Sequence, residues 1–288
     1  MKILDTHQHL WDLTQFRLPW LPPDGPLARS HTPADYARAA EGLGIEGTIY
    51  MEVGAAEEQR EAEIEYVVGL CSEPNAKMLG AVFAADPSEP GFIDWLRSIP
   101  TKPEASSFKG VRIGLHGGMA PGYCLQPDFV SGVRLLANLD MCFDICIRSD
   151  ELGDAAQLAA RCSHTRFVLD HCGNPNVQSA DLTQWKRGID SVARQPNVVC
   201  KISGLINTAR PGAWSAEDLA PIIEHCASAF GYDRLMFGSD WPVCTLNGTL
   251  RSWVEALDEI THDWEKSARE KLFAINAEKF YAVQLPTK

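Results

Sequence analysis

Short apolar runs recur along the chain at regular intervals, and stretches with a helical pattern lie between them. Several of the runs are almost continuously apolar, which is typical of parallel strands covered on both faces. The pattern predicts eight strands, at residues 2–7, 46–53, 77–84, 108–115, 141–147, 165–171, 197–203 and 233–239.

The segments between the strands carry helix start signals. Residues 32–35 (TPAD) place a capping threonine, a proline at the first helical position and an acid in the first turn. Residues 215–218 (SAED) begin a later helix in a similar way. Eight strands, each followed by a helix, within 288 residues predict a single-domain (β/α)8 TIM barrel over 1–288. A doubly wound sheet is the alternative, but no G-x-G-x-x-G follows any strand.

The segment from Leu10 to Ser30 is unusually long for a connection and contains two tryptophans, Trp11 and Trp20, together with four prolines. Long loops in compact domains are often functional. Because it follows the first strand, we expect it to cross the catalytic face of a barrel as an aromatic lid. A proline-stiffened surface loop is the alternative.

Polar residues concentrate where the predicted strands end. In barrel enzymes the chemistry lies at this carboxyl-terminal face. In an extended strand His7 and His9 share one face, which is half of a metal site or of a polar catalytic cluster. The ionisable and polar residues at strand ends are His7, His9, Glu52, Arg112, Asp170, His171, Lys201, Ser203, Ser239 and Asp240.

Three imidazoles and a carboxylate, from His7, His9, His171 and Asp240, are a sensible ligand set for one zinc or manganese ion, with Glu52 as an additional candidate ligand. Without a metal, the same groups could bind a carbonyl oxygen while Asp240 accepts a proton from water. Simpler structural interpretations stay open: His171 as a core histidine, and Asp240 as a helix cap.

Five residues are candidates for substrate contact or for structure. Glu52 and Arg112 are candidates for contact with substrate oxygens, and pairing with each other across the barrel mouth is the alternative. Lys201 lies on an apolar strand, where an unpaired buried lysine is costly, and is assigned to the substrate pocket. Trp241 and Trp20 are predicted to form the apolar wall of that pocket.

Charge and cysteine content limit the classes of partner molecule and the compartment that we expect for the protein. A net charge of −12 disfavours nucleic acid and anionic membranes as partners. Nine scattered cysteines without a C-x-x-C pair favour free thiols in a reducing cytoplasm. No apolar run approaches 18 residues, and no signal-type leader precedes the first strand. A small-molecule partner in the cytoplasm is expected, and a homo-oligomer is left open.

Several motifs together resemble the amidohydrolase superfamily of metal-dependent hydrolases. They are HxH after the first strand, LDHCGNP after the sixth and FGSDWPV after the eighth. More narrowly, DTHQHLWD, VVCKISGL and RLMFGSDWPVC are similar to its lactonase branch, which includes sugar-lactone and pyrone-dicarboxylate lactonases. The resemblance extends to about residue 282. It implies a barrel hydrolase in which Asp240 accepts the proton of the attacking water and His7, His9 and His171 belong to the active site.

The chain departs from binuclear members of the superfamily. Arg112 stands where a bridging lysine is found, and the fifth strand, MCFDICI, has no histidine. A second metal would therefore lack ligands. The lactonase branch includes one-metal and metal-free members, so both remain open here. Glu52 stands where the sugar lactonases would be expected to carry glutamine.

The sequence thus predicts a lactonase of carbohydrate catabolism that opens a small neutral sugar lactone, such as an L-fucono- or L-rhamnono-lactone. A pyrone or muconolactone dicarboxylate would need several cationic anchors, and Arg112 and Lys201 are the two strong candidates. A lactone isomerase or a decarboxylase on the same barrel is a further alternative.

Overall fold

A computed structural model describes residues 1–99 and 104–286. Within these residues, eight strands form one sheet. Their bounds are β1 Ile3–Gln8, β2 Ile45–Met51, β3 Met78–Ala84, β4 Phe108–Leu115, β5 Cys142–Ile147, β6 Arg166–Leu169, β7 Val198–Ile202 and β8 Leu235–Phe237. The predicted strands are confirmed, mostly to within one or two residues at each end. The lengths of β6 and β8 differ most from the prediction, since β6 ends at Leu169 and β8 begins at Leu235, after a 3-10 turn at residues 232–234.

All neighbouring strands pair in parallel and follow chain order from β1 to β8. The segment after β8 closes the sheet onto β1, since the amide of Asp240 donates to the carbonyl of His7 at 2.9 Å and the amide of His9 donates to the carbonyl of Trp241 at 2.8 Å. The closed parallel sheet with helices between its strands confirms the (β/α)8 barrel.

Helices surround the barrel on its outer face. They are α1 Pro33–Ala39, α2 Arg60–Cys71, α3 Phe92–Ser98, α4 Pro127–Leu135, α5 Leu152–Arg161, α6 Thr183–Ala193, α7 Ala216–Phe230, α8 Leu250–Ile260, α9 Lys266–Glu270 and α10 Asn276–Tyr281. Both predicted start signals are capping boxes, Thr32 with Asp35 and Ser215 with Asp218. A π-helical segment, Lys271–Ile275, joins α9 to α10.

A large apolar core joins the strands to the surrounding helices, and a second, smaller cluster joins other strand residues to α10. The long loop after β1 is tied back to the barrel. Trp11 pairs with His31 in an antiparallel bridge, and its indole N–H donates to the carbonyl of Arg29 at 2.7 Å. All nine cysteines are free thiols. In the part of the chain that is described, no helix combines the length and apolar character needed to cross a bilayer.

Candidate active site

A cavity of about 510 Å³ opens at the carboxyl-terminal ends of the strands. Polar side chains on its wall include His9, Glu52, Arg60, Asp86, Arg112, His116, His171, Asn174, Asn207 and Asp240. Trp11 and Trp20 from the long loop also line it, which places both tryptophans at the cavity as the lid hypothesis requires.

His9 is held by the backbone through one ring nitrogen, and its other ring nitrogen faces Asp240. Its Nδ1 lies 3.0 Å from the carbonyl oxygens of both Met51 and Glu52, which can only accept hydrogen bonds, so Nδ1 carries the proton. Its Nε2 lies 3.4 Å from Oδ1 of Asp240. Nε2 is therefore the ring nitrogen that faces Asp240 at the floor of the cavity.

His7 is fully buried beside His9 and is oriented in the same way. Its Nδ1 lies 3.3 Å from Oδ1 of Asp170, and its Nε2 lies 3.8 Å from Oδ1 of Asp240. Burial lowers the pKa of His7 well below the ordinary value, against the opposing charge of Asp170. The ring is neutral near pH 7, with its Nδ1 proton toward Asp170. Its Nε2 lone pair accepts from Nη1 of Arg112 at 3.2 Å.

Asp240 follows β8 in a left-handed conformation, φ 56°, which is uncommon for a residue with a side chain. Its Oδ2 accepts a hydrogen bond from Nδ2 of Asn207 at 2.6 Å, while Oδ1 faces the two histidines of β1. Burial opposes ionisation, but the proximity of His171 and the hydrogen bond from His9 outweigh it and lower the pKa of Asp240 to about 2. The carboxylate is therefore ionised at neutral pH.

His171 also has a left-handed backbone, φ 53°, in the turn that follows β6. Its Nδ1 lies 2.9 Å from Oγ of Ser203, and its ring centroid lies 4.4 Å from that of His7. The His171 ring can occupy this position because residue 204 is a glycine: a Cβ on residue 204 would lie 2.6 Å from the ring. Burial lowers the pKa of His171, so a neutral imidazole faces the cavity.

The residues of β1 and β8 fit a single metal ion. One ligand atom from each of His7, His9 and Asp240 lies within 4.8 Å of the others. The Nδ1 contacts, to two backbone carbonyls for His9 and to Asp170 for His7, orient both rings. Three protein ligands leave one position open, as in catalytic zinc sites. The predicted four-residue shell is not a single group: His171 groups instead with His7 and Asp170. Arg112 must also release Nε2 of His7 when an ion binds.

Glu52 and Arg112 pair with each other at the cavity wall. Nε of Arg112 donates to Oε1 of Glu52 at 2.7 Å, and Nη1 donates to Oδ2 of Asp170 at 3.3 Å. The amide of Gly54 donates to the second oxygen of Glu52 at 2.6 Å. Burial disfavours the charged guanidinium, but Glu52 and other neighbours raise the pKa of Arg112 above its ordinary value. The alternative interpretation, in which Glu52 and Arg112 pair with each other across the barrel mouth, describes this contact. Both residues also line the cavity.

Lys201 lies below the cavity and, of the described residues, is not among those that line it. Its Nζ is 2.5 Å from Oδ2 of Asp144 and 3.2 Å from Oδ1 of Asp170, and all three side chains are 0 % exposed. Burial raises the pKa of Asp144 to about 6 in spite of the lysine. Lys201 faces the barrel interior as predicted, but its charge is used by two carboxylates.

The two predicted wall residues have different environments. Trp20 is 48 % exposed, lines the cavity and donates its indole N–H to the carbonyl of Val53 at 2.6 Å. Trp241 is buried, and its ring packs edge-on against His31 and Tyr36 at centroid distances of 5.4 and 5.3 Å. Trp241 is not among the described residues that line the cavity, so its position indicates a supporting role.

Sequence reasoning did not assign roles to four polar residues of this region: Asp86, His116, Asp144 and Asn207. Three of them had a signal, since His116 and Asp86 follow the ends of β4 and β3, and Asp144 is the charged residue within an apolar strand. Asn207 lies in a loop whose sequence, LINT, carries no such signal. Its contact with Asp240 depends on the course of the loop, which only the structure shows.

Comparison with known proteins identifies the family of the chain. The family model described as Amidohydrolase matches residues 4–283, and the chain belongs to this family. It is 29% identical to an L-fucono-1,5-lactonase of Burkholderia multivorans, over 94% of this chain and 90% of that protein. It is 27% identical to an uncharacterized protein of Sinorhizobium fredii, over 98% of both. A crystal structure of a Burkholderia multivorans amidohydrolase with bound zinc superposes with a TM-score of 0.87 at 26% identity, covering 99% of this chain and 100% of that one.

Proposed function

We propose that the protein is a lactonase that opens a small, neutral sugar lactone to its hydroxy acid. The observation that carries the proposal is the ionised carboxylate of Asp240 on the cavity wall, with one oxygen fixed by Asn207 and the other facing the imidazoles of His7 and His9. A carboxylate held in this way can accept a proton from water. The name of the Burkholderia multivorans relative, L-fucono-1,5-lactonase, supports the same reaction.

The proposed reaction begins when water attacks the lactone carbonyl carbon and Asp240 accepts the proton that the water loses. The carbonyl oxygen becomes an oxyanion, and His171 is placed at the cavity to stabilise it by hydrogen bonding. The bond between the carbonyl carbon and the ring oxygen then breaks. Asp240 returns its proton to the departing ring oxygen, which yields the hydroxy acid and restores the carboxylate.

His7, His9 and Asp240 would hold one divalent ion, and zinc is favoured over manganese because the related crystal structure is described with zinc. Such an ion supplies Lewis acidity toward a carbonyl and lowers the pKa of a bound water. A second ion is disfavoured, since Asp170 already pairs with Lys201 and Arg112, and β5 offers Asp144, which pairs with the same lysine.

The charges around the cavity favour a neutral, hydroxylated substrate over a dicarboxylate. Among the described lining residues, Arg112 is paired with Glu52 at 2.7 Å and Arg60 with Glu89 at 2.8 Å. Glu52 and Asp86 line the same space. Their oxygens already accept hydrogen bonds within the protein, and each carboxylate oxygen has a second lone pair for a hydroxyl donor. A pyrone or muconolactone dicarboxylate would have to compete with these carboxylates for the arginines.

A screen of lactones with a pH indicator tests the function. We expect acid release from one or more neutral sugar 1,4- or 1,5-lactones and weaker activity on pyrone and muconolactone dicarboxylates. NMR of the product separates hydrolysis from isomerisation and decarboxylation, which would give a different skeleton or a shorter acid. Failure to open any lactone, with or without added zinc, would contradict the proposal.

Elemental analysis of the purified protein tests the metal site. We expect at most one divalent ion per chain, lost in His9→Ala and retained in His225→Ala, whose ring lies near Asp190 on the outside of the barrel. Two tightly bound ions per chain would contradict the ligand assignment. Activity that is indifferent to chelator, in protein without metal, would favour the metal-free mechanism.

A further inference from the structure

Asn207 connects the proposed base to the cavity. It lies in the 3-10 turn Leu205–Thr208, which begins directly after the left-handed Gly204. The turn is well anchored: Leu205 and Ile206 are each 1% exposed, and Nδ2 of Asn247 donates to the carbonyl of Ile206 at 2.7 Å. The position of the Asn207 side chain is therefore set by a packed segment.

The amide group of Asn207 is used on one side only. Its Nδ2 donates to Oδ2 of Asp240 at 2.6 Å, a charge-assisted bond. Its Oδ1 is buried and has no hydrogen-bond partner among the described residues, although the side chain lines the cavity. A buried acceptor without a partner is costly and rare in native proteins. Since Oδ1 can only accept, the group that completes it must bring a hydrogen-bond donor.

We propose that Asn207 has two linked roles: it positions Asp240 through Nδ2, and it binds an O–H group in the cavity through Oδ1. The O–H group belongs either to a hydroxyl of the substrate or to the attacking water. This inference rests on the proposed lactonase function and adds a residue that selects hydroxylated lactones. Glu52 and Asp86 supply further acceptors in the same cavity, which is consistent with a substrate rich in hydroxyl groups.

The test compares two 1,5-lactones, L-fucono-1,5-lactone and δ-valerolactone, which lacks hydroxyl groups. The variant Asn207→Leu has a similar volume but no polar atoms. We expect kcat to fall at least about tenfold on both lactones, because Asp240 loses its positioning bond. If Oδ1 binds a substrate hydroxyl, kcat/KM falls by at least about a further tenfold on the hydroxylated lactone alone. An equal loss on both lactones assigns the O–H group to water.

Two further variants separate the roles. Asn207→Asp keeps an acceptor but places a second carboxylate against Asp240, so kcat should fall while the preference for the hydroxylated lactone is retained. Asn176→Leu is the matched control, because Asn176 is exposed and is not among the described lining residues. Thermal unfolding of each variant checks that the fold is intact. Turnover of Asn207→Leu within twofold of wild type on both lactones would overturn the inference.

A binding measurement keeps this inference separate from the proposed function. Calorimetry with L-fuconate, the hydroxy acid that the reaction would release, requires no turnover. If the wild-type protein opens neither lactone, the proposed function fails, but a loss of L-fuconate affinity of about tenfold in Asn207→Leu would still support the hydroxyl contact. Unchanged affinity for L-fuconate in folded Asn207→Leu, together with wild-type turnover on both lactones, would show that Asn207 is structural.

Discussion

The floor of the barrel has two sides that use buried polar groups in opposite ways. On the side of β1 and β8, ligand atoms of His7, His9 and Asp240 lie within 4.8 Å of one another beside the cavity. On the side of β5 to β7, Lys201 is enclosed by Asp144 and Asp170, and Arg112 is a second cation beside Asp170. Both sides are almost completely buried.

The difference shows what separates a chemical group from a supporting one in this barrel. Enclosed ion pairs satisfy each other and leave nothing for a ligand, whereas ligand atoms that converge at a cavity can bind one. The two sides meet at His7, whose Nδ1 faces Asp170 and whose Nε2 faces Asp240. Asp170, on the paired side at β5 to β7, therefore orients His7 on the open side at β1 and β8.

Replacing the base on the open side should give the largest effect. Asp240→Asn keeps the shape and the contact with Asn207 but cannot accept a proton, so we expect kcat to fall by about 10²–10⁴-fold with little change in folding. Steady-state kinetics and thermal unfolding measure the two effects. Near-wild-type turnover by the folded variant would remove Asp240 from the mechanism.

Asp5 provides the matched control for Asp240. Its Oδ1 accepts from the amides of Ser239 at 2.8 Å and His7 at 3.1 Å, and its Oδ2 accepts from the hydroxyl of Tyr36 at 2.6 Å. Asp5→Asn should therefore lower the free energy of unfolding more than it lowers kcat. The reverse result would indicate that Asp5 takes part in the chemistry.

Removing the cation from the paired side should mainly affect stability. Lys201→Met leaves Asp144 and Asp170 buried without their lysine, which costs about 3–5 kcal/mol of unfolding free energy. Denaturant unfolding measures this loss. Lys266→Met is the control, because that side chain is 90% exposed and should change stability by less than about 0.5 kcal/mol.

The same variant tests the sequence-based prediction that Lys201 contacts substrate. Unchanged stability with kcat/KM reduced at least about tenfold would support that contact. Reduced stability with normal turnover by the folded fraction would assign Lys201 to the structural network. The double variant with Asp144→Asn should recover part of the lost stability, because one of the unmatched charges is removed.

Glu63 differs from the carboxylates on both sides of the floor, because it is buried without a direct cationic partner among the described residues. Its Oε1 accepts from the hydroxyl of Tyr50 at 2.8 Å and from the amide of Val53 at 3.1 Å. Burial and the charge of Glu52 raise the pKa of Glu63 from 4.5 to about 7. The folded protein thus holds this proton more tightly than the unfolded chain does.

Stability should therefore decline as pH rises from about 4.5 to about 7, by up to about 3 kcal/mol from this group. In Glu63→Gln this part of the pH dependence should disappear, so that the variant gains stability relative to wild type between pH 5 and pH 8. Glu65→Gln, on the exposed face of α2, is the control and should keep the wild-type slope. An unchanged slope in Glu63→Gln would contradict the raised pKa.

The fold and the open side of the floor could be predicted because they depend on local patterns. Apolar runs fixed the strands, and the strand-end rule located His9, His171 and Asp240 at one face. The pairing of charges could not be predicted in the same way. Whether Lys201 reaches a ligand or a carboxylate depends on Asp144, 57 residues away in sequence and on a different strand.

The remaining differences have the same origin. Trp241 directly follows Asp240 within the motif FGSDWPV, yet its ring lies against His31 and Tyr36 from the first βα segment. Asn207 was missed because its partner becomes adjacent only when the loops after β7 and β8 meet. Contacts between loops of different βα units are set by tertiary packing, and the sequence pattern within one unit does not contain them.

The smallest effect is expected at the rim, where Trp20 belongs to neither side of the floor. Its ring lines the cavity, lies 6.0 Å from Trp11 between centroids and is about half exposed. Trp20→Ala removes apolar surface from the pocket without touching the base, so KM should rise about three- to tenfold while kcat stays within twofold. Ile93→Ala, an equally exposed residue on α3 away from the cavity, should change neither constant. A fall in kcat with KM unchanged would instead indicate that the loop closes over the reacting groups, because closure would then limit the chemical step and not the binding.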